Sequence, residues 1–369
     1  VQPADVQWAE YGGHEGPVYY GRNKFKGAIN ATTPMLFKAL TAACHVESGH
    51  YDAVNMYDRG ICSVGIIQVI EGGGILGVSD LLGEVMMNCR DAFREMYPVF
   101  SLTGYNLSRV DVLGVRGTAT RFVAPDSGLV DTEAESRKMF YGGANVGLKG
   151  SWTPSQKAQA REWAACIASV FQHEDAAEVQ KAFAARRMKT FIMPAGEPLF
   201  AYEPGEGSLD NWEFFRCLYL AFAVNAPKRT AESYSFAAAR RRNFVDQLEV
   251  FTKRILLVGP SFYPERMKKT LDVLRAVPTF RTSVQMVEAA TKDYDNLGIT
   301  VFRTQSALVR LGYDIGTSGA DGIMGAKTKR ALATFAATVT SEPIVVDTDG
   351  LGDWALDRNM YEALYEKAK

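Results

Sequence analysis

Apolar residues recur three and four positions apart through much of this chain, and Gly- and Pro-rich stretches interrupt them. That pattern confines it to a mainly α fold. Residues 79–97, 154–173, 174–191, 211–224 and 232–257 read as helices, rich in Leu, Ala, Met, Glu, Lys and Arg with apolar positions at helical spacing. The stretches Glu71 to Gly74, Tyr141 to Gly143 and Pro194 to Ser208 read as loops around or across a cleft. Residues 1–30 hold Gly, Tyr and Pro without lasting periodicity and are expected to form an irregular surface arm.

Several function classes are disfavoured by what the chain contains. Its 41 basic and 42 acidic side chains nearly cancel, so no global field draws it to nucleic acid or to an anionic membrane, and a neutral polymer is the better partner. No run approaches the roughly 20 apolar residues of a membrane span, so no membrane insertion is expected. Cys44, Cys62, Cys89, Cys166 and Cys217 are widely spaced and never form C-x-x-C, which favours buried thiols over a disulfide framework or zinc site, with a Cys44–Cys62 bridge left open. His14, His45, His50 and His173 form no H-E-x-x-H, so neither a metal nor another cofactor is expected. Arg240, Arg241 and Arg242 read as a solvated helix face.

The most informative segment begins with a helix. Thr33 followed by Pro34 is a start signal, Leu36, Leu40 and Ala43 fall on one face, and Gly49 offers a stop. Glu47 extends that stripe, which places a carboxyl on the inward face at the helix end. Desolvation there favours the neutral acid, the form that protonates a leaving glycosidic oxygen. A snorkelling or paired glutamate has the same signature, and this position alone does not separate the two.

The neighbourhood of Glu47 carries more. Glu47-Ser48, Asp58-Arg59-Gly60 and Ser63-Val-Gly65-Ile-Ile-Gln68 together resemble the signature of goose-type lysozymes and soluble lytic transglycosylases. The resemblance implies Glu47 as the catalytic acid, Ser48 as its supporting neighbour, Gly65 as a close-approach glycine and Gln68 as a substrate-side amide. Tyr141 and Asn145, in Tyr141-Gly-Gly-Ala-Asn145, echo the family's Tyr-Asn-Ala-Gly segment bordering the cleft, in altered order. An inverting hydrolase needs a second carboxylate as base, whereas a transglycosylase uses one carboxyl and the substrate's own groups. Asp58 and Glu71, with Asp52, are the available bases, and both mechanisms remain open. The pattern of T-even phage lysozymes is absent, because Met56 and Cys62 stand where its Asp and Thr would fall.

Near Asp293 the composition turns polar and a new pattern begins. Thr300 can cap a helix carrying Val301, Gln305, Leu308 and Leu311, with Gly312 as its stop; Thr328, Ala331, Leu332 and Phe335 begin a second, and Leu356, Met360 and Leu364 mark a third. With Asp321-Gly322-Ile323, Gly325 and Asp349-Gly350, this resembles the peptidoglycan-binding domain appended to many wall hydrolases, although Ala336 replaces its usual Gln and Asp353-Trp354 its Pro-x-Thr. Tyr313, Asp321, Thr328 and Trp354 are the candidate wall-binding residues, an aromatic platform with aimed polar groups.

The expectation is therefore a mainly α chain with a lysozyme-like catalytic domain over 1–292, carrying extra helices over about 175–290, and a three-helix peptidoglycan-binding domain over 293–369. The resemblance implies cleavage of the N-acetylmuramic acid to N-acetylglucosamine β-1,4 bond of bacterial peptidoglycan, with no cofactor. It implies action in the periplasm or cell wall by a protein made in the cytoplasm and then released by a holin or carried in a virion, as for a phage endolysin. The alternative is a non-catalytic wall-binding component of a virion or secretion apparatus, and the 175–290 helices are the candidate docking region for such a partner.

Overall fold

The computed structural model describes residues 1–11, 13–57, 61–71, 76–111, 118–126, 128–147, 149–192, 209–240, 243–258, 263–296, 301–316, 319–320, 326–339, 363–364 and 366–368. The described residues are mainly helical and fall into two compact units, one of 1–201 with 216–224 and one of 202–215 with 225–369.

The N-terminal segment is not an irregular arm. β1 (Gln7–Tyr11) and β2 (His14–Tyr19) form an antiparallel hairpin with Trp8 opposite Pro17 and Gln7 opposite Val18. No alternation announces it, because Gly16 and Pro17 interrupt β2, and only Val18 and Tyr19 supply large apolar side chains to the interior. α1 (Met35–Val46) follows. It starts one residue after Pro34 without a side-chain cap, since the Thr33 hydroxyl is engaged with the Asn30 side chain instead. Three two-residue strands, β3 (Val54–Asn55), β4 (Ser63–Val64) and β5 (Val69–Ile70), then extend the sheet in the order β1-β2-β3-β4-β5, antiparallel throughout.

The expected helix over 79–97 is several pieces. α2 (Val78–Asn88) ends at Cys89, whose φ of −137° and ψ of 65° leave the helical region. Short α3 (Arg90–Phe93), one 3₁₀ turn and α4 (Tyr97–Thr103) carry the chain onward. β6 (Asn106–Asp111) and β7 (Thr118–Val123) form a second hairpin, with Leu107 opposite Phe122. α5 (Glu133–Tyr141) and α6 (Pro154–Val170) both open with capping boxes. In α6 the Gln156 amide donates to the Thr153 hydroxyl at 3.3 Å and the Thr153 amide to the Gln156 side chain at 2.9 Å, with Pro at the first helical position. Trp163 of α6 lies at the centre of this unit, its ring 5.9, 5.6 and 5.0 Å from those of Phe100, Phe122 and Phe140. α7 (Glu174–Ile192) packs on both α1 and α2.

α8 (Leu209–Ala223) contributes its first residues to the second unit and the rest to the first. The expected helix over 232–257 is two, α9 (Pro227–Arg240) and α10 (Phe244–Val258). Arg241 and Arg242 lie outside the described residues, as does the side chain of Arg240. α11 (Tyr263–Leu274) and α12 (Arg281–Asn296) pack on α10, around Trp212, Phe214, Phe215, Phe244, Phe251 and Phe280. The 175–290 stretch is thus divided: α7 belongs to the first unit, whereas α9 to α12 belong to the second, together with the chain beyond 293.

α13 (Val301–Arg310) and α14 (Ala326–Val339) form a small cluster of their own with Leu308, Ile315, Leu332, Phe335 and Leu364. Gly312, at φ 83°, ends α13 as expected. Of the third expected helix, residues 363–364 and 366–367 are helical; the Asp349-Gly350 turn and the rest of that segment lie outside the described residues. No described helix is long and apolar enough to cross a membrane.

Candidate active site

The C-terminus of α1 and the β4–β5 turn meet through one hydrogen bond. Glu47 is the first residue beyond the helix, half-buried, with its amide still bonded to the Ala43 carbonyl at 3.0 Å. Ser48 follows, and its hydroxyl donates to the Gly65 carbonyl at 2.8 Å, across 17 residues of chain. Two further donors converge on that carbonyl from inside the turn: the Gln68 amide at 3.1 Å and the Gln68 side-chain nitrogen at 2.9 Å. Two of the three segments on which the resemblance rests, Glu47-Ser48 and the one ending at Gly65 to Gln68, are thereby joined; Asp58-Arg59-Gly60 lies outside the described residues.

The turn is held in an unusual backbone shape. Gly65 lies at φ 78°, which glycine tolerates, but Gln68 lies at φ 52°, which a side chain resists by roughly 1–3 kcal/mol unless its surroundings impose it. Gln68 is also the half-buried residue in a run where Ile61 to Ile67 and Val69 are buried, so its side chain is the part of the turn that reaches the surface.

The second carboxylates are placed differently from the first. Asp58 lies outside the described residues. Glu71 is buried at the other end of the β4–β5 hairpin, where its amide donates to the Cys62 carbonyl at 2.9 Å. It lies three positions beyond Gln68, about 10 Å along the backbone, with Val69 and Ile70 between them. Its carboxylate accepts the Ser79 amide at 2.8 Å in the first turn of α2, so it caps a helix. Burial pushes its pKa up to about 7, against the opposing pull of that amide and of Arg121. Asp52 is buried too and accepts the amides of Arg22 and Asn23, both at 2.9 Å, which makes it an anchor for the segment after β2. The sequence assigns the desolvated carboxyl to Glu47; the fold puts Glu71 and Asp52 deeper.

Tyr141 is interior, 1% exposed, with its hydroxyl bonded to the Met56 carbonyl at 3.0 Å and in contact with that of Ile61, and its ring 4.9 Å from that of Trp152. In this geometry it braces the chain on both sides of residues 58–60 and does not offer its hydroxyl to a ligand. Asn145 is exposed on the turn that follows α5. In the terminal cluster Thr328 is buried, its hydroxyl accepting from the Gln305 side chain at 3.1 Å, so it joins α13 to α14. Tyr313 is half-buried, its ring 6.2 Å from that of Phe335; Asp321 and Trp354 lie outside the described residues.

All five cysteines are buried thiols, and Cys44 and Cys62 form no bridge. Burial raises the Cys44 thiol well above its ordinary pKa, with the Glu47 charge adding to the effect, the opposite of what a nucleophilic cysteine needs. Among the described residues no group of three His, Cys, Asp or Glu side chains is arranged to hold a metal.

One site residue escapes the sequence reading altogether. Gln180 of α7 is fully buried; its side-chain oxygen accepts the Ile66 amide at 3.1 Å and its nitrogen donates to the Tyr51 carbonyl at 2.9 Å. A signal existed: Ala176, Ala177, Phe183 and Ala184 flank it three and four residues away, so a lone amide interrupts an apolar stripe, and a buried amide implies partners elsewhere in the fold.

No family model matches the chain, and no curated protein or solved structure matches it either.

Proposed function

We propose that this protein cleaves the glycan strands of bacterial peptidoglycan between N-acetylmuramic acid and N-acetylglucosamine, in a lysozyme-like catalytic domain with Glu47 as general acid. The observation that supports this most is the Ser48 to Gly65 hydrogen bond, which ties the helix end bearing Glu47 to the turn bearing Gln68. In such a site Glu47 gives its proton to the leaving glycosidic oxygen as the C–O bond breaks; the attacking group's proton goes to a second carboxylate in the hydrolase and to the ionised Glu47 in the transglycosylase. The attacking group is water when a second carboxylate serves as base, and the substrate's own hydroxyl when none does. Glu71 and Asp52 are committed to backbone amides, so Asp58 is the candidate base for a hydrolase, and both routes use Glu47 as the acid. The α13–α14 cluster is assigned to wall binding on the resemblance of its sequence.

Mass spectrometry of fragments released from purified peptidoglycan, by this protein and by its Glu47→Gln and Glu71→Gln variants, tests the proposal. Fragments that vanish with Glu47→Gln and persist with Glu71→Gln are the expected result, and anhydro ends on them would identify a transglycosylase. Reducing ends would identify a hydrolase and make Asp58 the base to examine. Loss in Glu71→Gln alone would move the acid to Glu71, and a protein that pellets with the wall but releases nothing would be a non-catalytic wall-binding component.

A further inference from the structure

We propose that Gln180 is the positioning residue of this site: through it α7 fixes the 65–68 turn, and with it the Gly65 carbonyl shared by Ser48 and Gln68. The inference rests on the glycan-cleavage reading for its catalytic consequence but not for its geometry. Gln180 bonds to two points of the first unit that are remote in sequence, the Ile66 amide inside the turn and the Tyr51 carbonyl just before β3. Neither bond belongs to a strand ladder, and both amide atoms point at main chain, so rotation of this side chain would leave a buried donor and a buried acceptor unpaired.

The turn is shaped to receive that amide. A Cβ at Gly65 would lie 2.2 Å from the Gln180 oxygen and 2.5 Å from its nitrogen, so the absence of a side chain at 65 lets the amide lie against the backbone. The left-handed Gln68 three residues later needs neighbours that over-determine its backbone, and Ser48 on one side with Gln180 on the other supply them. Two helical turns further along α7, Arg187 donates to the Leu76 carbonyl, so one face of this helix grips the chain both at the turn and just before α2.

The test compares wild type with Gln180→Leu, which removes both bonds, and Gln180→Glu, whose carboxylic acid form keeps both while its carboxylate keeps only the acceptor. Amide hydrogen exchange across Ile66 to Val69 reads the turn, and kcat and KM on soluble peptidoglycan fragments read catalysis, each per folded molecule as judged by circular dichroism. The expected result for Gln180→Leu is exchange at least about tenfold faster at Ile66, a kcat about a hundredfold lower and little change in KM, the size of effect that a misplacement of about 1 Å produces. Gln180→Glu is expected to recover most of the rate at low pH and lose it as its carboxyl ionises, a pH-dependent ratio that general loosening of the fold would not give. If Gln180→Leu does not fold, the pH dependence of exchange in Gln180→Glu carries the test. Unchanged exchange at Ile66 would overturn the proposal whether or not the wild type cuts glycan. Faster exchange in a wild-type background that releases no fragments would leave Gln180 as the holder of the turn and remove the enzyme reading instead.

Discussion

Glu71 shows how a residue's place in the fold changes its chemistry. Its carboxyl has an ordinary pKa near 4.5 and is pushed up to about 7 by burial, while the Ser79 amide and Arg121 pull the other way. Because the folded value is the higher one, the folded protein binds more protons in that window, and Glu71's contribution to stability is full below about pH 4.5 and lost as pH rises through about 7. At about 1.4 kcal/mol per unit, ionised Glu71 costs on the order of 3 kcal/mol. Glu71→Gln keeps an acceptor for Ser79 without the charge. Denaturant midpoints measured across this pH range should therefore fall in the wild type and stay nearly level in the variant; parallel curves would mean that the buried carboxyl is hydrated and ordinary. Glu47 was legible as a carboxyl at a helix end, because helical spacing alone puts it there. That Glu71 caps α2 was not, because its partner Ser79 lies across a Gly-rich segment with no periodicity to read.

Elements were legible where their own residues specify them. α6 follows from Thr153, Pro154 and Gln156 and from its apolar stripe, and α7 from its Ala- and Lys/Arg-rich composition. The β hairpins were missed because their strands take their partners from the fold and not from alternation: β3, β4 and β5 have two residues each, too few to show a period. The α2–β7 contact gives a prediction whose sign depends on this packing. A glycine inside a helix is ordinarily about 0.5–1 kcal/mol less stable than alanine. At Gly83, however, a Cβ would lie 2.2 Å from the Thr120 hydroxyl and 2.6 Å from its Cβ, and Thr120 is buried with its amide bonded to Asp80 at 2.9 Å. Gly83→Ala should therefore lower stability, by about 1–3 kcal/mol, and Thr120→Ala in the same chain should recover part of the loss. A single variant with a higher melting temperature than wild type would show that α2 can shift off β7 at no cost.

At the scale of the whole molecule, the expected boundary near 293 lies inside the second unit, which takes in α9 to α12 as well as α13 and α14. The sequence turns polar at 293–298, but Asp293 to Asn296 are the end of α12 and 297–298 lie outside the described residues; the grouping of helices on either side was not legible, because it depends on which faces α10 offers to its neighbours. Wall binding is the property to test here. Tyr313 is the half-buried aromatic of the terminal cluster, whereas Thr328 faces its interior. Tyr313→Ala should weaken pelleting with purified wall about tenfold, the effect of losing one aromatic anchor, and leave cleavage of soluble fragments unchanged. Equal pelleting would remove Tyr313 from the binding surface. What could be read from the amino-acid order was the mainly α composition, the helix that ends at Glu47 and the buried thiols, because helical periodicity and cysteine spacing are properties of near neighbours in the chain. The commitment of Glu71, Asp52, Tyr141 and Thr328 to internal partners, and the grip of Gln180 on a turn 114 residues away, were decided by packing, because a buried polar group is defined by its partner and the partner is remote in the chain.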